Sequence, residues 1–309
     1  MIKITSFSDL ITTREQTRAG FISFAIEKNR RSTPFIEEAK AFKVLASRAK
    51  SADELLSMQE IRPALLTASG LSDKALKFFS ENDKNRAIKE LIDNFLKPAG
   101  QYFVDEAVYR YLLIRGDSLG GQMRNIIGAI AQQKLVRTFA STLTVMGIEY
   151  IWRDSYGWHK SDILNESETK AICWQYNQQS RTMGFNLKIK TVDKNVDICL
   201  FNADSIHYDN NIGKNCDQSA IMFGELKGGI DPAGADEHWK TGNSALDRIR
   251  TRFSAIGRSD IKTAFIAAAI EEAMAKEIYT QVINGTLGFA ANLTIDEQLV
   301  DFCEWIIKL

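Results

Sequence analysis

Two apolar runs in the second half of the chain carry charges that a buried strand tolerates only under special conditions. Val196–Phe201 is a short, nearly continuous apolar run interrupted by Asp197, and Ile221–Lys227 is another, interrupted by Glu225 and closed by Lys227. Runs of this length suit the central strands of a sheet. Glu225 and Lys227 stand two positions apart, so on a strand their side chains leave the same face. Beside Phe223 and Leu226, such charges are expensive to bury unless they pair or hold a metal. If the two strands pair, Asp197 and Glu225 both reach one cation.

The periodicity of the chain changes near Gly147. Before it, apolar residues recur at three- and four-residue steps, as in Phe21, Phe24, Ile26 and then Ala39, Phe42, Leu45. Ser72-Asp73 reads as a helix start, and periodic stretches at 86–98 and 101–115 meet at Pro98-Ala99-Gly100. Gly116–Gly121 reads as a turn-rich loop ahead of a long helix from Met123 to about Met146. After Gly147, residues 148–152, 171–176, 185–191 and 264–270 read as strands, and 236–253, 271–285 and 294–308 as helices. The expected fold class is therefore α/β, an α+β mixed sheet at 146–309 with an additional helical domain at 1–145.

Composition narrows the function. The 309 residues carry 39 basic and 39 acidic side chains, which argues against a protein that coats nucleic acid indiscriminately but permits a clustered basic face. Residues 1–50 hold ten Lys/Arg against five Asp/Glu, and Arg248, Arg250, Arg252 and Arg258 form a second basic group. Either is a DNA-facing surface or a solvated helix face. Cys173, Cys199, Cys216 and Cys303 are widely spaced with no CxxC pair, so reduced thiols are expected and not a zinc site or disulfide frame. No apolar run is long enough to cross a membrane and no signal-peptide pattern opens the chain, so the expected location is cytoplasmic.

Two carboxylates and a lysine at this spacing match the needs of a Mg²⁺-dependent phosphodiesterase. Mg²⁺ takes oxygen ligands and keeps several waters, so Asp197 and Glu225 with a substrate phosphate suffice as its ligands. Lys227 brings positive charge to the phosphoryl oxygens or positions the attacking water. His238, at the start of the next helix, has the chemistry to accept that water's proton. The structural alternatives are an ion pair of Glu225 with Lys227 at a strand end and a local hydrogen bond of His238 at a helix start. His159 and His207 receive no role. Gly116–Gly121 offers a phosphate cradle with Arg124 as a DNA backbone contact, or else a tight helix–helix connection; it lacks the ending of a P-loop.

Four longer blocks go beyond the short motif: TRAGFISFAIEKNRRSTPFIEEAKA, IRPALLTASGLSDKALKF, RGDSLGGQMRNIIGAIAQQKL, and VDICLFN followed by GELKGGIDPAGADEHWKTGN. With them the chain resembles, over nearly its whole length, the AvaI/BsoBI family of type II restriction endonucleases. The resemblance implies a PD-(D/E)xK nuclease core at 146–309, a DNA-embracing helical region at 1–145, and a homodimer around double-stranded DNA. It implies Mg²⁺-dependent cleavage of the degenerate palindrome CYCGRG after the first cytosine, leaving 5′ extensions with 5′-phosphate and 3′-hydroxyl ends. A cognate DNA methyltransferase would be the functional partner. Asp197, Glu225 and Lys227 stand at the family's catalytic positions and His238 at that of its proposed general base. Lys74, Lys194 and Asp231 match positions that contact bases: a lysine donates to purine acceptors, and an aspartate accepts from the cytosine amine. The chain departs from the motif in having Val196 where a proline is usual, which leaves the carboxylate chemistry intact. The loops at 153–170 and 202–219 differ most from the family. The rival expectations are a repair or structure-specific nuclease on the same core, and a DNA-binding protein with a decayed site, the latter disfavoured by the intact charged set.

Overall fold

The computed structural model describes residues 4–211 and 217–309; Cys216 and part of the 202–219 loop lie outside the described residues. The helices in chain order are α1 (Arg14–Ala46), α2 (Arg62–Ala68), α3 (Asp73–Leu76), α4 (Glu81–Leu91) and α5 (Phe103–Val145). The strands β1 (Tyr150–Arg153), β2 (Trp158–Lys160), β3 (Ala171–Tyr176), β4 (Gln179–Ile189) and β5 (Lys194–Phe201) follow. The chain closes with α6 (Ser205–Asn211), β6 (Ala220–Lys227), α7 (Ala235–Ala255), β7 (Lys262–Ala267), α8 (Glu272–Ile283), β8 (Phe289–Asn292) and α9 (Asp296–Lys308).

The chain packs as two compact units, residues 1–21 with 126–309, and residues 22–125. In the first, the eight strands form one mixed sheet in the order β2-β1-β3-β4-β5-β6-β7-β8. Neighbours from β2 to β6 are antiparallel, while β6, β7 and β8 run parallel. Parallel neighbours need crossovers, and α7 and α8 supply them. Alternation along the strands sends Phe223 and Phe265 to one face, under Trp239, Leu246 and Phe253 of α7. It sends Ile198, Met222 and Ile266 to the other, under Leu135 and Phe139 of α5 and Phe302 of α9. Both faces of the central strands are covered, which explains why their sequences read as almost unbroken apolar runs. The mixed α/β expectation holds; β2, β8 and the short α6 have no counterpart in the expected elements.

The second unit is helical around Phe42, Leu55, Leu65, Ile88 and Leu91. One expectation is overturned here. Gly116–Gly121 is not a loop but lies inside α5, which runs unbroken from Phe103 to Val145. A glycine costs a helix roughly 1 kcal/mol relative to alanine. Burial of Leu119 and Met123 on that same stretch offsets the local weakness. With no helix N-terminus at this point there is no anion cradle, and Arg124 sits in mid-helix, exposed, instead of on a first turn. No helix of the described residues is long and apolar enough to cross a membrane.

Candidate active site

The β5–β6 ladder pairs Phe201 through Ile198 with Ala220 through Gly224 and then stops. Strand β6 runs on to Lys227 beside β7, with Glu225 opposite Phe265 and Lys227 opposite Ala267. Asp197 stands at the point where the ladder opens. Its Oδ2 accepts a hydrogen bond from the Leu226 backbone N–H at 2.8 Å, so a side chain does the work of a ladder carbonyl. This fixes the carboxylate toward β6.

Lys227 Nζ lies 2.6 Å from Glu225 Oε2 and 3.8 Å from Asp197 Oδ2. Pairing of the two strands thus brings Asp197, Glu225 and Lys227 together. The Glu225 side chain is only 8 % exposed, against 29 % for Asp197. Burial first, and then the neighbouring Asp197 charge, hold the Glu225 carboxyl above the usual glutamate range, against the pull of Lys227 and Arg248. Burial works to lower Lys227, but attraction to Glu225 and Asp197 outweighs it and holds its ammonium above the ordinary value. One lysine thus faces two carboxylates, which lie close enough to share one cation. Such a donor set fits a hard divalent cation that takes two carboxylates and completes its shell with water and phosphate. Among the described residues no group of three or more His, Cys, Asp or Glu gathers to form an all-protein metal cage.

Helix α7 roofs this floor. A Cβ on Gly242 would lie 2.6 Å from Phe265 Cε2 and 3.7 Å from Lys227 Cε, so the helix approaches the sheet closely at that turn. His238 is one turn earlier on α7 and packs on the loop after Lys227: a Cβ on Gly229 would lie 2.6 Å from His238 Cε1. Its Nδ1 is buried with no hydrogen-bond partner among the described residues. Trp239 Nε1 donates to Glu277 at 2.6 Å and Gln281 Nε2 to Asn243 at 3.1 Å, tying one flank of α7 to α8. At ~100° per residue His238 and Arg248 fall on the opposite flank. Arg248 is exposed and its charge reaches Glu225. Of the basic group after the site, Arg250 donates to Thr263 and Arg258 to the Asp217 and Ala220 carbonyls, so those two are structural ties.

The expected base-contacting residues occupy distinct places. Lys194 is the exposed first residue of β5, three before Asp197. Asp231 is exposed where the loop after β6 enters α7, and its Oδ1 accepts from the Ala233 N–H at 3.0 Å, capping a 3₁₀ turn. Lys74 is exposed on α3, whose first turn Ser72 caps through the Ala75 N–H. Lys74 and Arg124 belong to the unit of residues 22–125, while the other six site residues belong to the unit with the sheet. The remaining histidines are tied locally: His159 Nε2 lies 3.0 Å from Asp154 Oδ2, and His207 Nδ1 lies 2.9 Å from Asp204. Gly20, Gly228, Gly229 and Gly242 were not singled out by sequence reasoning. For Gly228 and Gly229 the signal was the GG pair directly after the lysine; Gly20 and Gly242 carried none.

Comparison with known proteins gives the family. A family model described as restriction endonuclease BsobI matches residues 2–309. The chain belongs to that restriction endonuclease family. It is 52 % identical to the type II restriction enzyme BsoBI of Geobacillus stearothermophilus over 314 residues, covering 99 % of this chain and 97 % of that protein. It is 47 % identical to the type II restriction enzyme AvaI of Nostoc sp. (strain PCC 7120 / SAG 25.82 / UTEX 2576) over 313 residues, covering 99 % and 98 %. AvaI of Anabaena variabilis matches to the same extent. The eight-stranded mixed sheet is accordingly a restriction endonuclease-like core.

Proposed function

We propose that this restriction endonuclease hydrolyses both strands of double-stranded DNA at the degenerate palindrome CYCGRG, after the first cytosine, with Mg²⁺ as cofactor. The observation that carries the reading is the set of Asp197, Glu225 and Lys227 at the opening of the β5–β6 ladder, in a chain whose whole length matches enzymes of this class. Asp197 and Glu225 hold the ion. When bound, Mg²⁺ adds Lewis acidity toward the phosphate and lowers the pKa of a coordinated water. Lys227 exchanges its carboxylate partners for a non-bridging phosphate oxygen, where charge develops during in-line attack. His238 accepts the proton of the attacking water. The products carry 5′-phosphate and 3′-hydroxyl ends.

Lys194 and Asp231 read base edges beside the cleavage site, and Lys74 and Arg124 contact DNA from the helical region, for which the reading assigns residues 1–145 to holding the duplex and 146–309 to cutting it. A homodimer matches its two-fold axis to that of the palindrome. The enzyme acts in the cytoplasm, where a cognate methyltransferase protects the host sites. Digestion of a plasmid and a phage genome of known sequence with purified protein and Mg²⁺, followed by sequencing of the fragment ends, tests this. Discrete ends sharing CYCGRG are expected. Ends at another palindrome would refute the specificity alone, and structure-dependent nicks or no cutting would refute the function.

A further inference from the structure

Three residues separate Lys227 from Asp231, and each is held by a different helix. Gly228 lies on α5: a Cβ there would meet Ile127 O and Ala131 Cβ, both at 2.7 Å. Gly229 lies under His238 of α7, with 2.6 Å to Cε1. Ile230 sits on α1, where a Cβ added at Gly20 would fall 2.3 Å from Ile230 Cγ1 and 3.0 Å from its Cβ. None of Gly20, Gly228 and Gly229 has the positive φ that favours glycine, so space and not backbone freedom requires them. At the two ends, Lys227 O accepts from Ala268 N at 2.8 Å and Asp231 caps the turn into α7. The link has no slack: Lys227 and Asp231 are joined by three residues pinned on three sides.

We propose that Gly20 and Gly228 are positioning residues, whose close seats for Ile230 and for the link itself hold Asp231 and Lys227 in one fixed relation and so couple base reading to hydrolysis. The inference rests on the proposed roles of those two side chains. Groups that act through others lose activity when their partners shift by fractions of an ångström, because docking and chemistry each depend on geometry. Helices α1 and α5 both continue into the unit of residues 22–125, so the seats are built on the elements that join the two units.

The test is a rescue experiment on the full-length enzyme. Gly20→Ala forces Ile230 off its seat, while alanine itself favours the helix more than glycine does. Single-turnover cleavage is measured on a duplex bearing the established site and on duplexes with one altered base pair, alongside thermal unfolding. The expected result for Gly20→Ala is a rate at least about tenfold lower and a cognate-to-altered ratio also at least about tenfold lower, in a protein that still melts in one transition well above the assay temperature, lowered only by the cost of overpacking. Adding Ile230→Ala removes the Cγ1 clash, and the remaining 3.0 Å contact needs only a small adjustment, so rate and ratio return to near wild type. Gly228→Ala shows the same double loss, but Ile230→Ala does not repair it because its clash is with α5. Wild-type rate and discrimination in both glycine variants overturn the coupling, as does a loss of rate that tracks a loss of melting temperature without rescue. A wild-type protein that cuts DNA at no defined sequence overturns the parent reading instead, and is recognised before any variant is made.

Discussion

Gly229→Ala tests whether His238 takes part in the reaction without touching its chemistry. The added Cβ would stand 2.6 Å from His238 Cε1, whereas ordinary contact begins at 3.4 Å, so the ring must withdraw by about 0.8 Å (3.4 − 2.6). Its retreat is limited, because the next turn of α7 is anchored by Trp239, which is buried and bonded to Glu277, and by Gly242 against Phe265. Overpacking of this kind costs about 1–3 kcal/mol in stability. A displacement near 1 Å of a group in the chemistry costs about a hundredfold in rate. Removing a general base altogether costs about 10²–10⁴-fold. Single-turnover cleavage of a site-bearing duplex should therefore fall about a hundredfold in Gly229→Ala and at least as far in His238→Ala. The double variant should be no slower than His238→Ala, since a displaced ring that is absent costs nothing further. Two results would refute the reasoning: His238→Ala cutting at the wild-type rate, or Gly229→Ala costing as much in the His238→Ala background as in the wild type.

Asp197→Asn keeps an acceptor for the Leu226 N–H and removes the ligand charge; cleavage should drop at least about a thousandfold while a gel shift still detects specific binding, and retained cutting would remove Asp197 from the mechanism. Glu225→Gln should stabilise the enzyme in chelator at pH 8. The folded-state pKa of Glu225 is raised, so the ionised form is disfavoured in the fold; the wild type is stabilised below the unfolded value of about 4.3 and loses that contribution as pH rises through the raised value. Thermal unfolding against pH should thus show the variant and wild type converging near pH 4 and separating above, with Mg²⁺ raising the melt of the wild type alone. Asp231 caps a turn and is proposed to read a base, and Asp231→Asn separates the two: asparagine caps as well as aspartate, so the fold is kept, while an amide in place of the proposed acceptor for cytosine should lower discrimination at one base pair. Equal weakening on all sequences in a binding panel would leave Asp231 as a cap only.

What local sequence determined is which charges share a face and where helices give way to strands. Charges in apolar runs, spaced by two, placed Glu225 and Lys227 on one side of a strand, and the change of period near Gly147 announced a sheet after helices. These features are legible because side-chain alternation and burial cost act on neighbours in the chain. The tertiary structure alone decided that β5 and β6 are neighbours and that their ladder stops at Ile198, which turns Asp197 from one more strand residue into the partner of Leu226 N–H and Lys227. It also decided against the local reading of Gly116–Gly121, since the burial of Leu119 and Met123 outweighed glycine's poor helix propensity. Nor does a glycine announce why it is there. Gly116 and Gly120 have open space where a Cβ would be, while Gly20, Gly228, Gly229 and Gly242 have another residue within 2.7 Å. That difference is made by residues as distant in the chain as Gly20 and Ile230, and packing between distant segments is what a local pattern does not encode.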